Sequence, residues 1–390
     1  MESRLKSFCS SKKDRLSLFG IFALFVAMLP TSLRRGNDYH VFYTSGLRAH
    51  LGDALYQVTD TWFVFKYHPI FAIAFVPFSY LPEKFGLLIL DLGMIFCWLW
   101  SLATWARWLG YKLTPPKIFL LVLISLSALS AEFGFGQING ALFAGLTLSF
   151  LLLEEKDRPV LAGMVMTLVM AVKINYGLIL IYGALRNWRS LIGVAIAALI
   201  IHVWVVLFFH QNFFNPAIYH EWLSLLLQQS SEQFNNREAQ GFLHFFDSIL
   251  GDASGHVAWS ATVIAFILGG AWMRFKQVKH PIVAAYWMAA LYLLSPLAWW
   301  YQLPYMLPAA FWLLKQSMPK WQKRICYCAI AIFALVTFNL VGRTGLNFAK
   351  DIQVFFYASL VILLFLIQKA VDQFRNFDSS GAKSMLVKSS

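Results

Sequence analysis

Charged side chains are scarce in this sequence. Only 13% of its 390 residues are Asp, Glu, Lys or Arg, about half of the ~25% usual in soluble domains. Hydrophobic residues make up 59%, and the mean hydropathy is +0.61. A water-soluble globular chain of this size is excluded. Cysteine is scarce too. Cys9, Cys97, Cys326 and Cys328 are the four present, none in a long polar loop, so no disulfide framework is indicated. Cys326 and Cys328 lack the partners of a zinc site. No His, Asp or Glu cluster has metal-ligand spacing, and no Gly-rich loop opens a helix after a strand. No metal or other cofactor is expected, and no soluble nucleotide substrate.

What is abundant is apolar sequence in long runs from end to end. Such runs read as an all-α polytopic membrane protein, because lipid leaves backbone polar groups no partner outside the segment itself. The spans are expected near 16–33, 84–106, 117–134, 140–153, 159–174, 176–185, 190–210, 256–273, 281–297, 303–315, 325–342 and 353–369. That gives about ten to twelve transmembrane helices, several of them shorter than the ~20 residues a straight span needs. No small-residue cleavage site follows the first run, which ends Thr31-Ser32-Leu33-Arg34-Arg35, so it reads as a retained span. One integral membrane domain is expected over residues 1–369, with a polar cytoplasmic tail at 370–390.

The formal net charge is +13, but its distribution argues against nucleic acid as a partner. With the N-terminus inside, Arg34, Arg35, Arg48, Lys66, Lys84, Lys173, Arg237, Arg343 and Lys350 fall outside, and the other Lys and Arg residues fall inside. That asymmetry is a topology signal. It places both termini in the cytoplasm and the loops 34–68 and 211–255 outside.

The chain is organised around Arg34-Arg35-Gly36-Asn37-Asp38-Tyr39-His40-Val41-Phe42-Tyr43, where the first span ends. A carboxylate at this depth is costly to desolvate, so Asp38 is solvated, caps a helix or does chemistry. One reading makes Asn37 or Asp38 the cap of a surface helix through Val41, Phe42 and Ala49. A Gly52-Asp53-Ala54-Leu55-Tyr56 turn and an aromatic segment Trp62-Phe63-Val64-Phe65-Lys66-Tyr67 follow, and the apolar run Pro69 to Tyr80 reads as interfacial. Three polar breaks share the outer face with Asp38. They are Glu132-Phe133-Gly134-Phe135-Gly136-Gln137-Ile138-Asn139-Gly140, Val172-Lys173-Ile174-Asn175-Tyr176-Gly177, and Ser295-Pro296-Leu297-Ala298-Trp299-Trp300-Tyr301-Gln302. Singly, the glycines serve tight turns, Lys173 snorkels and the tryptophans form an aromatic belt. Jointly they point to a cavity under two long loops. Asp91, inside a span, is a further candidate or a bond to a neighbouring helix.

In order along the chain, these motifs resemble the bacterial membrane glycosyltransferases of family 87, which have the GT-C fold. The matching elements are Asp38 with its aromatic helix, Gly52-Asp53-Ala54-Leu55-Tyr56, Phe65-Lys66-Tyr67-His68-Pro69, Gly136-Gln137-Ile138-Asn139, Lys173 and Ser295-Pro296-Leu297-Ala298-Trp299. The family often carries His just after that tryptophan; here Trp300, Tyr301 and Gln302 follow. The resemblance implies transfer of a sugar, mannose foremost, from a polyprenyl-phosphate donor to a lipid or glycan acceptor. The site would lie on the outer face of the bacterial cytoplasmic membrane, in cell-envelope synthesis. Asp38 is then the candidate general base. Arg34, Arg35, Arg48, Lys173 and Arg343 are candidate phosphate partners. Gln137, Asn139, Tyr301 and Gln302 are candidates for sugar hydroxyls, and Tyr39, Lys66, Tyr67, His68, Asn235 and Trp299 complete the expected substrate-binding set. Arg34 and Arg35 are expected to keep Asp38 ionised. Two other classes fit broken helices: a lipid-linked-sugar flippase or secondary transporter, and a lipid-binding member of the fold without activity.

The topology is testable by cysteine labelling on a Cys-free background. Ser231→Cys should react with an impermeant thiol reagent from the outside, and labelling from the cytoplasmic side alone would refute the orientation.

Overall fold

The computed structural model describes residues 11–57, 64–233, 238–276, 278, 280–336 and 338–387. Among them the protein is all helical, with a single isolated bridge between Ala239 and Trp299 in place of sheet. The chain divides into two compact units. The first is Met1–Asn236 with Thr337–Leu340, and the second is Arg237–Val336 with Val341–Ser390.

In the first unit, α1 (Lys12–Arg35) begins with reciprocal capping. The Ser11 hydroxyl accepts from the Asp14 N–H at 3.1 Å, and Asp14 accepts from the Ser11 N–H at 3.0 Å. Arg34 and Arg35 close the last turn, where cations suit the helix dipole. The chain then reverses at one residue. Gly36 takes a left-handed conformation, φ 36°, with the Leu87 side chain 2.8 Å from where a Cβ would stand. That combination admits only glycine. The next helix, α2 (Asn37–Leu51), starts at once, with Gly36 as its N-cap and no side-chain cap. The capping reading of Asn37 or Asp38 is thereby corrected. So is its surface placement: Tyr39, Phe42, Ser45 and Ala49 are buried.

A core of aromatic rings holds α2 against α3 (Pro69–Ser79). Phe42 meets Tyr67 and Phe71 at 5.1 Å and Phe75 at 5.3 Å between ring centroids. Edge-on and tilted pairs of this kind add about 0.5–1.5 kcal/mol each beyond area burial. Next comes α4 (Glu83–Trp108), a long apolar helix. The expected span 117–134 is a bent pair, α5 (Pro115–Ile124) and α6 (Leu126–Phe135), turned by 65° at Ser125. Then follow α7 (Asn139–Glu154), α8 (Pro159–Val172), a 3-10 turn Ile174–Tyr176, α9 (Leu178–Arg186), α10 (Ser190–Phe208) and α11 (Ala217–Gln233).

The second unit contains α12 (Phe242–Leu250), α13 (Asp252–Phe275), α14 (His280–Leu293), a 3-10 segment Trp300–Met306, α15 (Leu307–Lys315) and α16 (Lys320–Leu335). A kinked α17 (Phe338–Asp351), whose first residues fall in the first unit, and α18 (Val354–Val387) end the chain. Among the described residues five helices are long and apolar enough to cross a membrane: α1, α4, α10, α13 and the Val354–Phe374 part of α18. Two bent pairs bring the number to seven, and α3, α7, α8 and α14 are shorter apolar helices. The protein is a polytopic helical membrane protein.

Close helix packing fixes the far end of the first unit. A Cβ on Gly163 of α8 would stand 1.9 Å from the Ser190 carbonyl oxygen, and one on Gly193 of α10 would stand 1.9 Å from that of Val160. Small residues let helix backbones touch in this way. Gly163→Ala must separate α8 from α10 and should cost about 1–3 kcal/mol, read as a lower thermal midpoint in detergent. Gly93→Ala, which meets nothing within 4 Å, should leave the midpoint unchanged or raise it. Equal midpoints for the two variants would show that the α8–α10 contact does not limit stability.

Candidate active site

The reversal at Gly36 puts Asp38 in the first turn of α2. Positions three and four apart share a helix face. Asp38, Phe42, Ser45 and Ala49 therefore point the same way, into the unit. Asn37, Val41, Thr44 and Arg48 form a second face.

On the inward face, the Asp38 carboxylate accepts a hydrogen bond from Gln137 Nε2, at the link between α6 and α7. Gly136 makes that link possible. It is left-handed, φ 68°, and the Tyr39 Cβ is 2.7 Å from where its own Cβ would stand. Two residues on from Gln137, Asn139 is fully buried. Its Oδ1 accepts from Lys173 Nζ at 2.9 Å, and its Nδ2 donates to Glu132 Oε2 at 3.0 Å. Glu132 Oε1 accepts the Gly140 N–H at 2.8 Å. The ends of α2, α6, α7 and α8 thus meet in one polar network enclosed by apolar helices. It brings Gln137, Asn139 and Lys173, three of the expected site residues, together with Asp38.

Burial raises the Asp38 carboxyl above its ordinary range, and Lys173, the Gln137 hydrogen bond and Lys66 partly offset that rise. This corrects the role expected of Arg34 and Arg35. Both are exposed at the end of α1, and the cations acting on Asp38 come from distant sequence.

The aromatic segment closes one side. Burial pushes the Tyr67 phenol up, with Asp38 adding to the effect, so Tyr67 is a neutral donor beside the acid. Its carbonyl accepts from Tyr56 at 2.8 Å, and the Lys66 carbonyl accepts from Trp222 Nε1 at 3.0 Å. His68 Nδ1 accepts the Ile70 N–H at 3.2 Å and so caps α3. Burial lowers His68 to about 4, so it is a neutral ring packed against Tyr219 and Trp222 rather than a cation.

The other face of α2 lines an open cavity of about 760 Å³ between the end of α1 and the start of α4. Arg35, Arg48, Lys84 and Thr44 border it, as do His40 and Glu83, which bond at 2.7 Å. Arg48 also donates to Gln57 at 3.2 Å. Leu33, exposed on the same side of α1, continues the cavity wall.

Trp299, Tyr301 and Gln302 belong to the second unit, as does Arg343, exposed on α17. There the Trp299 and Tyr301 rings are nearly parallel at 5.9 Å, and Gln302 Oε1 accepts the Trp299 N–H at 3.3 Å. Beside them Glu238 accepts from Trp300 Nε1 at 2.7 Å and from Lys350 Nζ at 2.6 Å, with Lys350 5.1 Å over the Trp300 ring. Asn235 lies outside the described residues.

Sequence reasoning missed Glu132 as a site residue. The signal was present, since an acid within an apolar run is the same feature that singled out Asp91. Asp91 itself accepts from Ser32 at 2.5 Å, joining α4 to α1. Among the described residues no three His, Cys, Asp or Glu side chains gather as a metal site would require.

No curated protein and no solved structure is significantly similar to the chain. The sequence profile of glycosyltransferase family 87 matches residues 65–298, more than half of the 390 residues, and the chain belongs to that family of membrane glycosyltransferases.

Proposed function

We propose that the protein moves a sugar, mannose foremost, from a polyprenyl-phosphate donor to a lipid or glycan acceptor at the outer face of the bacterial cytoplasmic membrane. The observation that carries this reading is the junction of Asp38 with Gln137 through a hydrogen bond and with Lys173 through charge, Lys173 itself being held by Asn139. Asp38 precedes the matched residues 65–298, whereas Gln137, Asn139 and Lys173 lie within them, so geometry joins the acid to the family's part of the chain.

In the reaction the acceptor hydroxyl attacks the anomeric carbon and Asp38 takes its proton. The bond from that carbon to the phosphate oxygen breaks, and polyprenyl phosphate leaves with the electron pair. Glu132, engaged at both oxygens by Asn139 and the Gly140 N–H, is assigned a supporting place, and Asp38 alone the role of base. A phosphate leaves without a general acid, so one base suffices for a single displacement with inversion. An ammonium has three donors. Lys173 uses one on Asn139, and another is directed to the leaving phosphate, where charge grows in the transition state. The cavity bordered by Arg35, Arg48 and Lys84 seats the donor's anionic head as it approaches from the bilayer. Gln137, Tyr67 and the aromatic segment bracket the sugar. The asymmetry of Lys and Arg supports the outer location.

The assay is purified protein in detergent, with radiolabelled polyprenyl-phosphate sugar and a membrane-lipid extract as acceptor. Asp38→Asn should lower kcat by ~10²–10⁴-fold while the protein still folds. Near-normal transfer by Asp38→Asn would remove Asp38 from the mechanism. Flux of the lipid-linked sugar without any glycosylated product would indicate a flippase instead.

The pH profile is a second test. A base works only when ionised, and burial holds the Asp38 carboxyl up. Activity should therefore rise with pH through a midpoint above the ordinary value of roughly 3.9. Lys173→Ala removes a charge that lowers this carboxyl, so it should move the acid limb further toward alkaline pH and raise the KM for donor. An acid limb that stays in place would separate Lys173 from Asp38.

A further inference from the structure

Glu132 is almost completely buried, with 1% of its surface exposed. Its oxygens are specifically engaged, Oε1 with the Gly140 N–H and Oε2 with Asn139 Nδ2. A side-chain amide donates from its nitrogen and accepts at its oxygen, never the reverse. With its NH₂ committed to Glu132, Asn139 must show its carbonyl oxygen on the opposite side, and Lys173 binds there. We propose that Glu132 is a positioning residue, which orients the Asn139 amide so that its carbonyl oxygen holds Lys173 beside Asp38. The inference rests on the reading of Asp38 as the base and adds the residue that sets its electrostatic environment.

The groups around Asp38 are few. Lys173 comes from the end of α8, Lys66 and Tyr67 from the segment before α3, and Gln137 from the α6–α7 link. Apart from His68 at its cap, α3 carries no titratable side chain. On α4, Glu83 bonds His40 and Asp91 bonds Ser32. Lys173 is the first of the influences that lower the Asp38 carboxyl, so loss of its anchor has a predictable direction.

Glu132→Gln keeps the shape and removes one acceptor. If the new amide keeps its oxygen toward the Gly140 N–H, its NH₂ faces the NH₂ of Asn139. Asn139 then turns over to offer its oxygen, and its NH₂ meets the Lys173 ammonium, donor against donor. Lys173 is released. The exchanged pair, Glu132→Gln with Asn139→Asp, restores the alternation of donor and acceptor from the Gly140 N–H to Lys173. Its introduced amide accepts from the Gly140 N–H and donates to one oxygen of the introduced carboxylate, leaving the other oxygen for Lys173.

The experiment measures kcat against pH with the labelled donor and lipid extract for the wild type, Glu132→Gln and the exchanged double variant. Glu132→Gln should lose roughly 10–100-fold in kcat, the usual consequence of losing a hydrogen bond to a charged group. Its acid limb should move to alkaline pH, and the double variant should restore both rate and limb. A merely structural role would lower the thermal midpoint without moving the limb. An unmoved limb in Glu132→Gln, or a double variant no better than the single one at equal thermal midpoint, would overturn the inference. Should Glu132→Gln fail to fold, Asn139→Ala removes the same acceptor from Lys173. Its limb should also move to alkaline pH, and a stationary limb overturns the inference equally. Asp38→Asn serves as the separate control. Full turnover in that variant removes the base and this inference with it, whereas its inactivity together with an unmoved Glu132→Gln limb removes Glu132 alone.

Discussion

A side-chain amide has one donating end and one accepting end, and the Asn139 amide uses both inside the first unit. Glu132 takes the nitrogen and Lys173 takes the oxygen. Away from water, polar groups must find partners within the protein or cost several kcal/mol each. The network meets that demand by crossing four helix ends: a carboxylate, an amide and an ammonium satisfy one another, and the ammonium's field reaches Asp38. Little slack remains. Gly136 at φ 68° and Gly36 at φ 36° fix the approach of the backbone on two sides, and the ring core around Phe42 presses α2 into place. Polar matching sets orientation here, while apolar packing supplies most of the cohesion.

Much of this was legible in the sequence because membrane proteins tolerate irregular polar backbone in few places. Gln137, Asn139 and Lys173 stood in breaks on one expected face, and they meet. Neighbours along the chain are not always neighbours in space. Arg34 and Arg35 are near neighbours of Asp38 in sequence, yet Gly36 turns the chain between them, and the cations that act on Asp38 are Lys173 and Lys66. The capping expectation failed for a related reason. A left-handed glycine can end one helix and begin the next, so no side-chain cap is needed. Hydropathy alone also gave no sign of the 65° bend at Ser125, since the two halves together read as one apolar run.

In the second unit the legible motif and the observed partners differ. The Ser295 to Trp299 stretch is conspicuous in sequence, but the polar centre beside it is Glu238 with Lys350, the Glu238 carboxylate also accepting from the Trp300 indole. An acid and a lysine 112 positions apart leave no periodic trace in one sequence. Such pairs follow from folding rather than from local propensity, so a sequence reading finds the stretches that frame them sooner than the pair itself.

The long separations also set a timetable for biosynthesis. Gln137 is 99 positions downstream of Asp38, and Lys173 is 34 beyond Asn139. A ribosome delivers the chain from its N-terminus, and segments fold as they emerge. Asp38 is therefore made long before Gln137 and Lys173, with Lys66 the nearer in sequence of the two cations that act on it. The polar network is a late product of translation, and a nascent chain stalled before Lys173 would hold the acid with Lys66 alone of the two cations that act on it.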